Sequence, residues 1–185
     1  MLLAYATALK AGITEAAPWI DGTWDLLELR YWDPQARLYR DEASADWVFG
    51  PYRGQNANMH MCEAMIAAYE ATGGARFLER ALLLAQRMTV EQAALAGGLV
   101  WEHYDTEWQV DWKYNLDDPK HLFRPWGFQP GHQTEWAKLL MLLDRYSGAA
   151  WLKPVACRLF DRAVEHSAIA RGWTSWSSPP RIRMP

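Results

Sequence analysis

The sequence predicts an all-α fold, a toroid of helical hairpins, and three observations carry that prediction. Two stretches, Asn58 to Thr72 and Gly131 to Ser147, are apolar nearly all round at helical spacing, as helices surrounded by neighbours must be. Each ends at a glycine, the residue that most readily takes the left-handed turn closing a helix. Each is followed, after a short turn, by an amphipathic helix with one apolar and one charged face. Alternating buried and half-buried helices are what a ring of hairpins needs, because its inner wall meets neighbours on every side.

In chain order, Met1 to Leu9 reads as the end of a helix. Asp21 to Tyr31 reads as a second, stopping before Pro34 because the residue ahead of a proline resists helical backbone. Arg37 to Arg40, Asp46 to Phe49 and Leu99 to Tyr104 are short extended stretches bounded by Gly, Pro or Asp, and read as small β-hairpins in the loops. Asn58 to Thr72, with His60, Glu63 and Glu70 as its polar members, is an inner helix closing at Gly73-Gly74. Ala75 to Glu91 sets Phe77, Ala81 and Ala85 against Arg76, Glu79 and Arg80, the pattern of an outer helix. Gly131 to Ser147 is the second inner helix, with His132, Glu135, Leu139, Leu142 and Tyr146 on one stripe and Gly148 as its stop. Trp151 to Ala170 is the second outer helix, Pro154 being tolerable in its first turn. Residues 1–170 thus read as one domain, and 171–185, without periodicity, as an irregular tail. Two full hairpins and part of a third cannot close a ring, so the sequence reads as an incomplete portion of such a toroid.

Composition narrows the function classes. With 185 residues, 50% hydrophobic and 22% charged, the chain can bury a real core. A net charge of -3 and no basic run give no footprint for nucleic acid or for a membrane surface. No stretch reaches the ~18 apolar residues that span a bilayer, and the start lacks a basic leader region, so a cytoplasmic location is expected. Cys62 and Cys157 fit no zinc spacing and sit in apolar helical patterns, the usual setting of buried free thiols. Twelve Trp residues, many between Trp101 and Trp136, suit a carbohydrate site, although most individually serve to plug a crowded helical core.

The chemistry-bearing motif is a doublet. His132 and Glu135 lie in the first turn of the second inner helix, and His60 and Glu63 open the first, each pair three residues apart and so on one helix face. An imidazole near neutrality can remove and return a proton, and free N–H groups at a helix start favour a developing oxyanion. Glu135 is placed to orient the His132 ring. A structural role for each histidine is the competing reading, as is a plain helix-start role for Asn56 and a loop-capping role for Arg124. A carboxylate-bridged metal site would need Glu-x-x-His order and further Glu residues on facing helices, so no metal is expected. No nucleotide loop or Schiff-base lysine stands out, Lys138 included, and no cofactor is expected.

The segment Arg124-Pro-Trp-Gly-Phe-Gln-Pro-Gly-His-Gln-Thr-Glu-Trp136, continuing to Arg145, and Asn56 to Glu70 closely resemble the N-acylglucosamine 2-epimerase family, with support from Trp101-Glu102-His103-Tyr104, Asp111-Trp112 and Tyr114-Asn115. The resemblance covers roughly Asp21 to Ala170. It implies a portion of an (α/α)6 barrel about twice this length and a sugar isomerase or 2-epimerase working by His-mediated proton transfer at C2 through an enediolate. By that resemblance His132 and Glu135 are catalytic, and Asn56, His60 and Arg124 contact the sugar. The family's second catalytic histidine has no counterpart here, since His166 sits in an outer-helix pattern. Isomerisation of an aldose to a ketose, such as mannose to fructose, is more economical with one histidine than 2-epimerisation, which needs a group on each face. The partner is a small sugar, and self-association into a homo-oligomer is left open. Two alternatives stand beside this. One is a six-hairpin glycosidase using two carboxylates, with Asp46, Asp105 and Asp111 as candidates; the other is a non-catalytic sugar-binding or protein-binding remnant.

Overall fold

Three helical hairpins account for most of residues 1–171, the part of the chain that the computed structural model describes. Helix α1 (Leu2–Lys10) turns through a tight helical turn at Thr14–Ala16 into α2 (Ala17–Arg30). Helix α3 (Gln55–Thr72) pairs with α4 (Ala75–Gln86), which continues through a wide turn at Arg87–Gln92 into the short α5 (Ala93–Leu95). Helix α6 (Pro130–Ser147) pairs with α7 (Leu152–Arg171). Helix α3 packs against α1 on one side and α6 on the other, so α1, α3 and α6 form an inner row, with α2, α4 and α7 each backing its own hairpin partner.

The local chemistry explains the boundaries. Gly73 and Gly148 both adopt left-handed backbone, at φ 71° and 61°, and their N–H groups donate to Tyr69 and Asp144 carbonyls. Helix α2 starts at Ala17, four residues before the expected Asp21, because Pro18 is at home in a first helical turn. Helix α3 starts at Gln55 and α6 at Pro130, each slightly earlier than expected. The expected single helix from Ala75 to Glu91 is continuous, but its last turn loosens into the wider winding at Arg87–Gln92. There the Thr89 hydroxyl donates back to Ala85 O at 2.7 Å, and Arg158 of α7 takes the Thr89 carbonyl at 2.8 Å, which lets the backbone loosen. Within 171–185, Arg171 still belongs to α7; the remainder of the expected tail lies outside the described residues.

The inner helices are less uniformly buried than their composition implies. Helix α3 buries Met59, Cys62, Met65 and Ala68, and α6 buries Trp136, Leu139, Leu140 and Leu143. On α6, however, Lys138, Met141 and Tyr146 are exposed, while Leu139, seven residues after the partly exposed His132, is fully buried. Cys157 is exposed on α7, facing away from Leu152, Val155 and Leu159, so only Cys62 is the buried thiol expected of both. Among the described residues, no helix is long and apolar enough to cross a membrane.

The extended stretches rearrange. Trp32–Asp33 (β1) and Leu38–Tyr39 (β2) form a small antiparallel hairpin. Buried Asn58 ties it to α3 by accepting from Tyr39 N–H at 2.8 Å and donating to Tyr39 O at 3.0 Å. Asp46 to Phe49 contributes a single bridge, Phe49 to Ala43. Leu99 to Tyr104 supplies a strand only at His103–Tyr104 (β4), which pairs with distant Arg53–Gly54 (β3) and also turns back in a short local hairpin, Tyr104 bridging antiparallel to Val110. Further upstream a side chain replaces a strand: the buried Gln133 amide accepts from Val100 N–H at 3.0 Å and donates to Val100 O at 2.8 Å. That clasp and the β3–β4 ladder set the loop carrying Glu102 against the heads of α3 and α6.

Candidate active site

At the head of α6, the ring of His132 is 29% exposed and its Nδ1 meets both carboxylate oxygens of Glu102, at 2.9 and 3.0 Å. Glu102 is buried, its N–H donating to Gly127 O and its carbonyl accepting from Gln55 N–H. Gln55, the first residue of α3, is fully buried beside them. Its Nε2 lies 2.9 Å from His132 Nδ1 and donates to Glu102 Oε2 at 3.2 Å, while its Oε1 accepts from Trp136 Nε1 at 2.8 Å. The hydrogen bond to Glu102 holds the His132 pKa above its ordinary 6.5, against the opposite pull of partial burial; Glu135 adds a weaker attraction.

The second polar group lies on the neighbouring inner helix. His60 is exposed, with Nδ1 3.5 Å from Glu63. Donor atoms of His60, Glu63 and Glu135 gather within 4.8 Å of one another, and Lys138 reaches Glu63 at 3.2 Å and Glu135 at 3.9 Å. An ammonium group so placed balances the two carboxylates. Glu135 thus faces His60 and Lys138, and the carboxylate hydrogen-bonded to His132 is Glu102, not Glu135. Asn56 is exposed at the start of α3, with no side-chain hydrogen bond among the described residues.

Arg124 belongs to a third group, on the loop ahead of α6. Its guanidinium lies over the Tyr52 ring at 4.1 Å, donates to the Tyr114 hydroxyl at 3.0 Å and pairs with Glu42 at 3.1 Å. Behind it, His103 donates Nε2–H to Pro125 O at 2.7 Å, leaving Nδ1 to accept from the Tyr52 hydroxyl at 3.1 Å; burial lowers this imidazole's pKa, so it stays neutral. Burial also pushes the carboxyl of Asp41, which accepts from Gly54 N–H, up to about 7.

The match to known proteins covers nearly all of this framework. The family model of N-acylglucosamine 2-epimerase (GlcNAc 2-epimerase) matches residues 1–174. The chain belongs to that family. A D-mannose isomerase of Marinomonas mediterranea is 56% identical over 167 residues, covering 89% of this chain and 42% of its relative. A second D-mannose isomerase, from Thermobifida fusca, is 40% identical over 176 residues, covering 94% of this chain and again 42% of the relative. A crystal structure of D-mannose isomerase superposes with a TM-score of 0.87 at 56% identity, over 89% of this chain and 42% of that one. The fold alone is shared with a cellobiose 2-epimerase from Spirochaeta thermophila, at a TM-score of 0.75 and 19% identity, covering 92% of this chain and 43% of the other. The chain therefore spans well under half the length of these 2-epimerase-family relatives.

Within this family member, sequence reasoning missed Gln55, Glu102 and Gln133. Glu102 sits in a loop between aromatic residues, and Gln55 precedes the apolar run that marks α3. The available signal was the Trp-Glu-His-Tyr run, where an acid lies between residues with reason to be buried. The carboxylates weighed for a glycosidase are placed otherwise. Asp105 Oδ1 accepts from Glu107 and Gln109 N–H and Asp111 Oδ1 from Lys113 N–H, both closing turns, and Asp46 is exposed.

Proposed function

We propose that this chain carries part of the active centre of a sugar isomerase or 2-epimerase, with an aldose of the D-mannose type as substrate. In this reading its hairpins are a portion of an (α/α)6 barrel, and the inner row α1, α3 and α6 lines the sugar cavity. The observation that carries it is the half-buried His132 at the head of α6, anchored through Nδ1 on a buried carboxylate, in a chain 56% identical to a D-mannose isomerase over 167 residues.

The chemistry follows from the residues. After ring opening, His132 removes the proton at C2, and the electron pair moves to the C1 carbonyl to give an enediolate. Returning the proton to C1 on the same face, while the O2 hydroxyl proton passes to O1, yields the ketose, and one base can carry the carbon-bound proton. His60 assists ring opening or binds O1, Glu135 and Asn56 hold sugar hydroxyls near it, and Arg124 borders the entrance. The free N–H groups of the first turn of α6 favour the developing negative charge.

The test is isotope exchange. Incubated with D-mannose in deuterated water, the chain should form ketose carrying deuterium at C1 and, by reversal, aldose carrying it at C2, alone or spliced in place of the matched segment of the Marinomonas mediterranea isomerase. His132→Ala should abolish the exchange. Lack of exchange in both forms, or undiminished exchange in the variant, would refute the reading; free sugar released from a glycoside would favour the glycosidase instead.

A further inference from the structure

The proton inventory around His132 has one consistent solution. The Trp136 indole nitrogen can only donate, so the Gln55 atom 2.8 Å from it is the amide oxygen. The Gln55 NH2 group is thereby turned toward Glu102 Oε2 and His132 Nδ1. Two neighbours then compete for Nδ1: an amide that can only donate, at 2.9 Å, and a carboxylate that accepts through both oxygens, at 2.9 and 3.0 Å. A hydrogen bond to an ionised acceptor is roughly twice as strong as a neutral one. The carboxylate wins, and the amide proton goes to Glu102.

We infer that Glu102, steered by Gln55 and Trp136, is a positioning residue that fixes His132 as the Nδ1–H tautomer and so leaves Nε2 bare to act as the base. This rests on the reading of His132 as the proton-transfer group but assigns the ring's partner to a residue outside its own helix. Nε2 has no hydrogen-bond partner among the described residues, which leaves its lone pair available. The buried carboxylate also stabilises the imidazolium formed when the proton is taken, as an orienting acid does in other histidine-dependent sites. Without Glu102, only the Gln55 amide faces Nδ1. It would hold Nδ1 as an acceptor, put the proton on Nε2 and block the base.

The tautomer can be read directly, without turnover. In 15N-histidine spectra of the 185-residue chain above the imidazole pKa, His132, assigned by its loss in His132→Gln, should show protonated Nδ1 and bare Nε2. Glu102→Leu should move the proton to Nε2 and lower kcat by about 10²–10⁴-fold with KM little changed. Adding Gln55→Glu to Glu102→Leu places a carboxylate at the same nitrogen and should restore the Nδ1–H form and part of kcat. A wild-type ring protonated on Nε2 would overturn the inference with no variant needed, as would an unchanged tautomer in a folded Glu102→Leu chain. Absence of C2 exchange in wild type alongside the expected tautomer would refute the enzymatic reading and leave the geometry standing.

Discussion

Replacing Gln133 by Leu should unfasten the loop that carries Glu102. The substitution keeps side-chain volume close to that of Gln, so little cavity forms; what is lost is the pair of hydrogen bonds to Val100 N–H and C=O, both in a fully buried setting. Each orphaned backbone group costs about 1–3 kcal/mol, and the pair therefore roughly 2–6 kcal/mol, on the order of a 5–20 °C fall in melting temperature for a chain of this size. Urea or thermal unfolding measures the loss, and amide hydrogen exchange locates it: Val100 should lose protection while the middle of α6 keeps its own. A loss below about 1 kcal/mol, with Val100 still protected, would refute the claim that the Gln133 amide stands in for a neighbouring strand.

Further outcomes follow from the charges and thiols. In the proposed mechanism the neutral His132 imidazole is the base, so the rate of C2 exchange should climb with pH along an acid limb centred above 6.5, because Glu102, with Glu135 behind it, favours the protonated form; a limb below 6.5 would contradict this. By linkage, the same raised pKa contributes stability that is complete below 6.5 and fades as pH rises through the folded value. Asp41, raised from 3.8 to about 7 by burial, should make stability decline across that interval as its carboxyl is forced to ionise. Asp41→Asn should flatten the decline, since the amide oxygen still accepts from Gly54, and urea midpoints at pH 5 and 8 decide it. A thiol reagent should label Cys157 in the native chain and reach Cys62, whose thiol burial pushes far up, only after unfolding.

The helical hairpins are legible in the sequence because their signals are local. Gly73 and Gly148 mark the ends of the inner helices, and the charged stripe of α4 marks an outer one. That His132 and His60 open adjacent inner helices is legible for the same reason, from a repeated spacing within one turn. What surrounds them is not. Glu102 reaches His132 across thirty residues of aromatic loop, and Gln55 reaches both from the start of a different helix. No periodicity encodes such long-range contacts. The reading of Glu135 as the ring's orienting acid follows from spacing alone, and spacing cannot tell which way a half-exposed carboxylate turns once Lys138 competes for it. The wide turn after α4 escapes for a similar reason, because the arginine that satisfies its freed carbonyl comes from α7.

Strands β3 and β4 are only two residues each, yet they hold two stretches of chain together beside the imidazole of a third. His132 therefore senses assembly. If the α3–α4 hairpin and the Glu102 loop drifted from the α6–α7 hairpin, the ring would part from its acid and its pKa would lose the upward pull of Glu102. A single nucleus followed through a pH series would then tell whether a preparation is properly put together, well before any sugar is added.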